Sequence, residues 1–184
     1  MSYVGRVPSA TSAALFEAPT PDGVPSAMRA EQLIRDLELT PHPEGGWYRR
    51  IHRADLHVQC DGAPRAALTT ILYLLRAGET SRWHRIDAEE AWHYYEGAPL
   101  RLWRASMDFR EVDELLLGPV GATALPCHVV PAGAWQAARS LGDYTLVGCT
   151  VAPGFEFGGF SLLAGDPISV TLLHTYAPQC AGLL

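Results

Sequence analysis

The sequence has no long apolar run and no cluster of basic residues. No stretch approaches the ~20 apolar residues that a membrane-spanning helix needs, and the N-terminus lacks the basic region and apolar stretch of a secretory signal. The 14 basic residues, all of them arginines, form no strip that would neutralise a row of phosphates, and the formal net charge is −6. We therefore expect neither a membrane nor a nucleic acid as a partner, and we expect a cytoplasmic location.

Cysteine is also scarce. The four cysteines, Cys60, Cys127, Cys149 and Cys180, include no Cys-x-x-C pair and no spacing typical of a zinc site. In a reducing compartment we expect four free thiols, with Cys127 and Cys149 buried inside strand-like runs.

The composition that is present fits one globular domain. Hydrophobic residues make up 48% and charged residues 18% of the 184 residues, which is enough to bury a core. Residues 1–27 are rich in Ala, Ser, Pro and Thr without apolar periodicity, so we expect a flexible leader there. Residues 28–184 are then a single domain, and its scattered prolines and glycines indicate many short elements joined by turns.

The hydrophobic pattern predicts one short helix followed by strands. Ser26 is placed to cap a helix over residues 28–39. From Gly45 the apolar residues alternate in short runs typical of an all-β sandwich or barrel. The predicted strands are 47–53, 67–76, 82–86, 90–95, 100–105, 111–117, 127–130, 134–138 and 144–152. Residues 167–176 form either a short helix or a last strand, and we expect the apolar tail to cover a barrel edge.

Turns and arginines supply further candidates. The Glu44-Gly45-Gly46 segment predicts a tight turn, or alternatively a lid at the mouth of a pocket. Phe155 and Phe157, bracketed by glycines, are expected to lie over the barrel mouth. Arg49, Arg82 and Arg101 lie on or near strands, where each either meets an anionic substrate or points into solvent.

Two short stretches resemble the two cupin motifs. Gly78, His84, Glu90 and Gly97 fall at the spacings of the first motif, but Ile86 stands where that motif has a second histidine. Pro131 and Gly133 match the second motif, and Gln136 replaces its histidine.

Five longer phrases are similar to the cupin-5 (DUF985) family, and they span residues 31–163. They are PHPEGGWY (41–48), SRWH (81–84), EAWH (90–93), VPAGAWQ (130–136) and YTLVGCTVAPGFEF (144–157). The resemblance implies an all-β single cupin, which is a double-stranded β-helix or jelly-roll barrel, with a short N-terminal helix. It also implies a homodimer.

Strand parity predicts which side chains share the barrel interior. Residues two apart on a strand face the same side. Three sets therefore share a face, and the resemblance to the cupin motifs implies that they point inward: His84 with Ile86; Glu90 with Trp92 and Tyr94; and Ala134 with Gln136 and Ala138. Such an apolar cavity with a few convergent polar groups is the usual form of a small-molecule site.

We predict that His84 and Glu90 are the catalytic acid–base pair, because a buried carboxyl beside an imidazole has a pKa tuned by desolvation and by its neighbour. The predicted substrate-binding residues are Ser81, Trp92, Tyr94, Gln136 and Phe155. The reaction expected is a metal-independent isomerisation, epimerisation or cyclisation of a small carbonyl-bearing metabolite.

Two alternatives stay open. The pocket of a non-catalytic cupin would hold a metabolite unchanged. A metal-dependent cupin oxygenase or lyase would bind its metal through His84, Glu90 and Gln136. Because two strong ligands and an amide hold a transition metal poorly, we expect no cofactor, or at most a weakly bound divalent metal.

Overall fold

The computed structural model describes residues 25–60 and 62–184, and this part of the chain contains two α-helices and thirteen strands. The helices are α1 (Ser26–Asp36) and α2 (Pro167–Tyr176). The strands are β1 (Thr40–Pro41), β2 (Trp47–Arg53), β3 (His57–Cys60), β4 (Ala63–Ala66), β5 (Thr69–Arg76), β6 (Thr80–Arg85), β7 (Glu89–Gly97), β8 (Leu100–Ala105), β9 (Val112–Leu117), β10 (Cys127–Val130), β11 (Trp135–Ser140), β12 (Tyr144–Ala152) and β13 (Ser161–Leu162). Residues 1–24 lie outside the described residues, so the flexible leader stays a prediction.

Two antiparallel sheets form the barrel. One has the strand order β1-β2-β5-β12-β7-β10, the other has the order β13-β6-β11-β8-β9, and β3 and β4 form a separate hairpin. The prediction of an all-β fold with a short N-terminal helix is confirmed. Neither helix in residues 25–60 and 62–184 is long and apolar enough to cross a membrane.

An apolar core closes one end of the space between the sheets. The first sheet contributes Tyr73, Trp92 and Val147, and the second sheet contributes Leu100 and Leu102, all at most 1% exposed. Side chains from both inner faces interdigitate at this end. The other end stays open and holds the site described below.

Helix α1 packs on the outer face of the six-stranded sheet through Leu33 and Ile34. It begins at Ser26 and ends at Asp36, so the predicted span of 28–39 is wrong at both ends. Glu38 has a φ of +54°, and the Leu39 N–H donates to the Ile34 carbonyl while the Glu38 N–H donates to the Arg35 carbonyl. This left-handed C-terminal motif stops the helix before residue 39.

Four of the nine predicted strands, namely β2, β8, β10 and β12, have the predicted bounds. Strands β1 and β13 have two residues each and carry no detectable alternation. The hairpin of β3 and β4 contains Pro64, a residue that counts against a strand, and it was missed.

Residues 167–176 form a helix, so of the two predicted alternatives the helix is right and the last strand is wrong. Asp166 caps α2 by accepting hydrogen bonds from the Ile168 and Ser169 N–H groups. The segment packs its apolar side against the tryptophans of β6, β8 and β11, and the Trp83 indole donates to the Cys180 carbonyl at 3.0 Å. The tail therefore covers the outer face of the five-stranded sheet, and the expected position at a barrel edge is wrong.

All four cysteines are free thiols, as predicted. Cys149 is buried in β12, whereas Cys127 is only partly buried. The prediction for Cys127 fails because β10 is the edge strand of its sheet, where one side of the strand has no neighbour.

The packing of α2 predicts a large stability effect at Leu173, which is fully buried. Leu173→Ala should lower the free energy of unfolding by about 2–5 kcal/mol, because it leaves a cavity under the helix. Ile168→Ala on the same helix is the control, since Ile168 is 75% exposed. Urea unfolding measures both. Equal losses in the two variants would show that α2 does not pack as described.

Candidate functional site

The open end of the barrel encloses a cavity of about 480 Å³. The wall that contains Glu44, His84 and Glu90 is polar, and aromatic side chains line the middle of the cavity. The lining residues are Glu38, Thr40, His42, Glu44, Tyr48, Arg49, Arg50, Thr69, Ile71, Tyr73, His84, Ile86, Glu90, Cys149, Val151, Phe155, Phe157 and Phe160. This volume lies within the range of small-molecule sites.

The turn before β2 carries one of the two buried carboxyl groups. Gly45 and Gly46 have φ angles of +114° and +68°, which confirms the predicted tight turn. A Cβ on Gly45 would collide with the carbonyl oxygen of Thr80. The turn therefore lies directly on β6 and points Glu44, 6% exposed, into the barrel.

Glu44 and His84 share one proton. The His84 Nδ1–H donates to the Arg82 carbonyl at 2.8 Å, because a carbonyl oxygen only accepts. His84 Nε2 then faces Glu44 Oε2 at 3.1 Å, and Glu44 Oε1 accepts from the Ser81 hydroxyl at 2.8 Å. A proton must lie between Nε2 and Oε2, carried either by the imidazole or by the carboxyl group.

Burial decides where that proton lies. Desolvation raises the pKa of the Glu44 carboxyl and lowers the pKa of the His84 imidazole. The uncharged pair, in which Glu44 O–H donates to Nε2, is therefore favoured. Burial also lowers the pKa of His42, whose Nδ1 accepts from the Glu44 backbone N–H at 3.3 Å.

The second buried carboxyl group, Glu90, is held from behind by a chain of hydrogen bonds. The Trp92 indole N–H donates to Gln136 Oε1 at 3.0 Å, and Gln136 Nε2 donates to Glu90 Oε2 at 2.5 Å. An indole nitrogen only donates, so the orientation of the Gln136 amide is fixed. Glu90 Oε2 is consequently an acceptor.

The pKa of Glu90 is raised to about 7. Desolvation is the largest cause, and the hydrogen bonds from Gln136 and Cys149 act in the opposite direction. In their charged forms His84 would lower the pKa of Glu90 and Glu44 would raise it further. Near neutral pH both protonation states of Glu90 are populated.

The structure places the predicted site residues in three positions. His84, Glu90 and Phe155 line the cavity. Ser81 and Gln136 lie directly behind its wall and hold Glu44 and Glu90 through hydrogen bonds, and Trp92 holds Gln136. Tyr94 packs with the core at the closed end, where its hydroxyl donates to the Gly97 carbonyl at 2.6 Å.

Sequence reasoning missed Glu44 and His42 as chemical groups of this cavity. Both lie in the PHPEGGWY phrase, where a carboxyl and an imidazole two residues apart within a Pro/Gly-rich turn were a usable signal. Tyr73 and Phe160 also line the cavity, but nothing in the sequence separates them from ordinary core aromatics.

The donor set does not suit a transition metal. Within the described part of the chain, no group of three or more His, Cys, Asp or Glu residues is arranged to hold a metal ion. The Gln136 amide oxygen already accepts from Trp92, and the Gln136 side chain is fully buried. Ile86 contributes only an apolar side chain to the wall.

The raised pKa of Glu90 predicts a pH-dependent stability. An exposed glutamate has a pKa of 4.5, so the unfolded chain loses its proton first as the pH rises towards the folded-state pKa of about 7. Across that window the buried Glu90 should cost the wild type about 3 kcal/mol of stability. Glu90→Gln cannot ionise and should lack this loss.

Urea unfolding at pH 4.5 and pH 8 measures this difference. Glu89→Gln is the matched control, because Glu89 is exposed on the same strand. It should keep the pH dependence of the wild type. The same pH dependence in Glu90→Gln as in the wild type would refute the raised pKa.

Comparison with known proteins agrees with the geometry. The model of the family described as Cupin superfamily (DUF985) matches residues 31–163. A hypothetical protein from Leishmania major is similar at 31% identity and a TM-score of 0.70, over 84% of this chain and 95% of its own. A protein from Shewanella oneidensis is similar at 33% identity and a TM-score of 0.72, over 84% of this chain and 93% of its own.

More distant structures support the fold alone. A cupin 2 conserved barrel domain protein from Rhodopseudomonas palustris is 14% identical with a TM-score of 0.50, over 79% of this chain and 84% of its own. No curated protein matches the chain. The predicted single-cupin barrel is confirmed, and the chain belongs to the cupin-5 (DUF985) family of the cupin superfamily.

Proposed function

We propose that the cavity binds a small carbonyl-bearing metabolite and catalyses its metal-independent isomerisation, epimerisation or cyclisation by acid–base chemistry. One observation carries this proposal: Glu90, a buried carboxyl group that lines the cavity, has its pKa raised to about 7. A group whose pKa lies near the working pH takes up and releases protons most effectively.

Glu90 is the proposed base. Its carboxylate removes a proton from the carbon next to the substrate carbonyl, and the proton stays on the carboxyl group. The Gln136 amide, held by Trp92, keeps the carboxyl group in one orientation during this step. The same group returns the proton to a carbon atom to complete the isomerisation.

The Glu44–His84 pair is the proposed acid. As the carbon loses its proton, charge develops on the carbonyl oxygen, and the proton shared by Glu44 and His84 can stabilise it. The sequence prediction paired His84 with Glu90, whereas the structure gives His84 a hydrogen-bonded partner in Glu44. Glu90 and the pair are therefore two separate groups with separate roles.

The side chains at the two altered motif positions support chemistry without a metal. Ile86 and Gln136 replace the histidines of the two motifs, and neither presents a free donor atom to the cavity. We therefore propose no resident metal cofactor.

Deuterium exchange tests the chemistry without knowledge of the product. Aldoses, ketoses and 2-oxo acids are incubated with the protein in D₂O, and NMR follows exchange at the carbon next to the carbonyl. The wild type should catalyse exchange in at least one compound. Glu90→Gln should slow it by roughly 10²–10⁴-fold, the usual contribution of a positioned base, and His84→Ala should also slow it.

Glu89→Gln is the control and should keep the wild-type rate. Undiminished exchange in Glu90→Gln would rule out Glu90 as the base. A protein that binds one of these compounds but exchanges no deuterium would instead be a non-catalytic binding cupin.

We further propose a cytoplasmic homodimer. Four free thiols suit a reducing compartment. Strand β1 pairs only with Trp47 and Tyr48 of β2. The rest of this edge of β2 is therefore unpaired among the described strands. Ile51 and Leu56 nearby are 49% and 71% exposed. Edges with exposed apolar side chains are suited to pairing with another copy.

Static light scattering at micromolar concentration tests the dimer. The expected mass is twice the 20.0 kDa of one chain, because the apolar edge would be covered in a pair. The mass of a single chain would contradict it.

A further inference from the structure

The Arg50 guanidinium lies at the mouth of the cavity and has no partner among the described residues. Strand β2 carries three arginines. Arg49 bonds the Glu38 carboxylate at 2.9 Å and the Leu37 carbonyl at 3.0 Å, and Arg53 bonds the Glu156 carboxylate at 2.8 Å. Arg50 has no hydrogen bond or ion pair from its guanidinium to any residue of 25–60 and 62–184.

The sheet register points Arg50 towards the cavity. Arg50 lies opposite Ile71 on β5, and Ile71 lies opposite Cys149 on β12. Cys149 in turn lies opposite Trp92 on β7. Residues in one such row share a face of the sheet, and Ile71, Cys149 and Trp92 all face the barrel interior. Arg50 is the exposed end of this inward-facing row, and it lines the cavity.

The other charges of the cavity leave Arg50 uncompensated. Glu38 at the rim is held by Arg49. Glu44 and Glu90 are 6% and 7% exposed and have their own donors at the polar wall. Within the described part of the chain the rim therefore offers an unpaired positive charge, while the acid–base groups lie inside.

Aromatic rings line the space between these two regions. His42 contacts the rings of Tyr48, Tyr73 and Phe160 at centroid distances of 4.5, 5.8 and 6.4 Å. None of these rings is an anion that would compete for Arg50, and their faces are apolar. A ligand that spans the cavity would be apolar or planar in its middle part.

We infer that the ligand of this cavity carries an anionic group, a carboxylate or a phosphate, which the Arg50 guanidinium binds at the mouth. A guanidinium presents a planar fork that matches both groups. The further statement that the carbonyl end of this ligand faces Glu90 rests on the proposed function. The substrate class is then a small anionic carbonyl compound.

Binding of matched aromatic probes tests the inference. Benzoate and benzamide have nearly the same shape, but only benzoate is charged at neutral pH, and phenyl phosphate provides the second anion. NMR titration of the wild type should show at least one anion bound about tenfold more tightly than benzamide, as expected for a hydrogen-bonded charge. The relative affinity of the two anions identifies the anionic group.

Arg50→Gln should lower the affinity for the anion to that for benzamide. Arg35→Gln is the matched control, because Arg35 is an exposed arginine on α1 that does not line the cavity, and it should keep the wild-type preference. Both arginines are exposed, so circular dichroism should show that both variants fold. Arg50→Lys, which keeps the charge but not the fork, should retain part of the preference.

Two outcomes would overturn the inference: neither anion binds the wild type more tightly than benzamide, or the preference survives in Arg50→Gln. The proposed function is tested separately from this inference. Glu90→Gln should bind the anions as the wild type does, even though it should lose deuterium exchange.

Discussion

The burial of two carboxyl groups in the open half of the barrel is the constraint on which the site depends. Removing a carboxylate from water costs several kcal/mol unless hydrogen bonds or protons replace the water. Ser81 and His84 supply these to Glu44, and Gln136 supplies one to Glu90. All three partners belong to the five-stranded sheet, whereas the two carboxyl groups come from β7 and from the turn before β2. These polar contacts therefore link the two sheets at the open end of the barrel, beside the small apolar cluster of Ile86, Ala88 and Val151.

The apolar core in the closed half of the barrel offsets the cost of burying the two carboxyl groups. Leu100, Leu102 and Leu117 are fully buried between the sheets, and the two layers outside the barrel add further apolar contacts through α1 and α2. Burial of this kind is the main favourable contribution to folding. A domain whose stability comes from one end can tolerate a cavity, and buried carboxyl groups with raised pKa values, at the other end.

Local features were predictable from the sequence, and long-range contacts were not. The alternation of apolar residues gave the strands from β2 to β12 with few exceptions, and the spacing of the first motif identified His84 and Glu90. Parity also placed Trp92 and Gln136 inside the barrel, but it could not show that they hold Glu90 from behind the wall. Glu44 was missed as a site group because its position depends on how the turn folds onto β6. The end of α1 depends on a left-handed Glu38, a conformation that glutamate rarely adopts.

The fixed amide of Gln136 also limits which side chains its position accepts. Where the motif has a histidine that can bind a metal, this chain has a side chain engaged by the Trp92 indole on one side and the Glu90 carboxyl group on the other. Replacing Gln136 by histidine would deprive both neighbours of their partner at once, and Ile86 would still lack a donor atom. A histidine at one of the two motif positions alone is therefore not enough to rebuild the ligand set of the motif in this barrel.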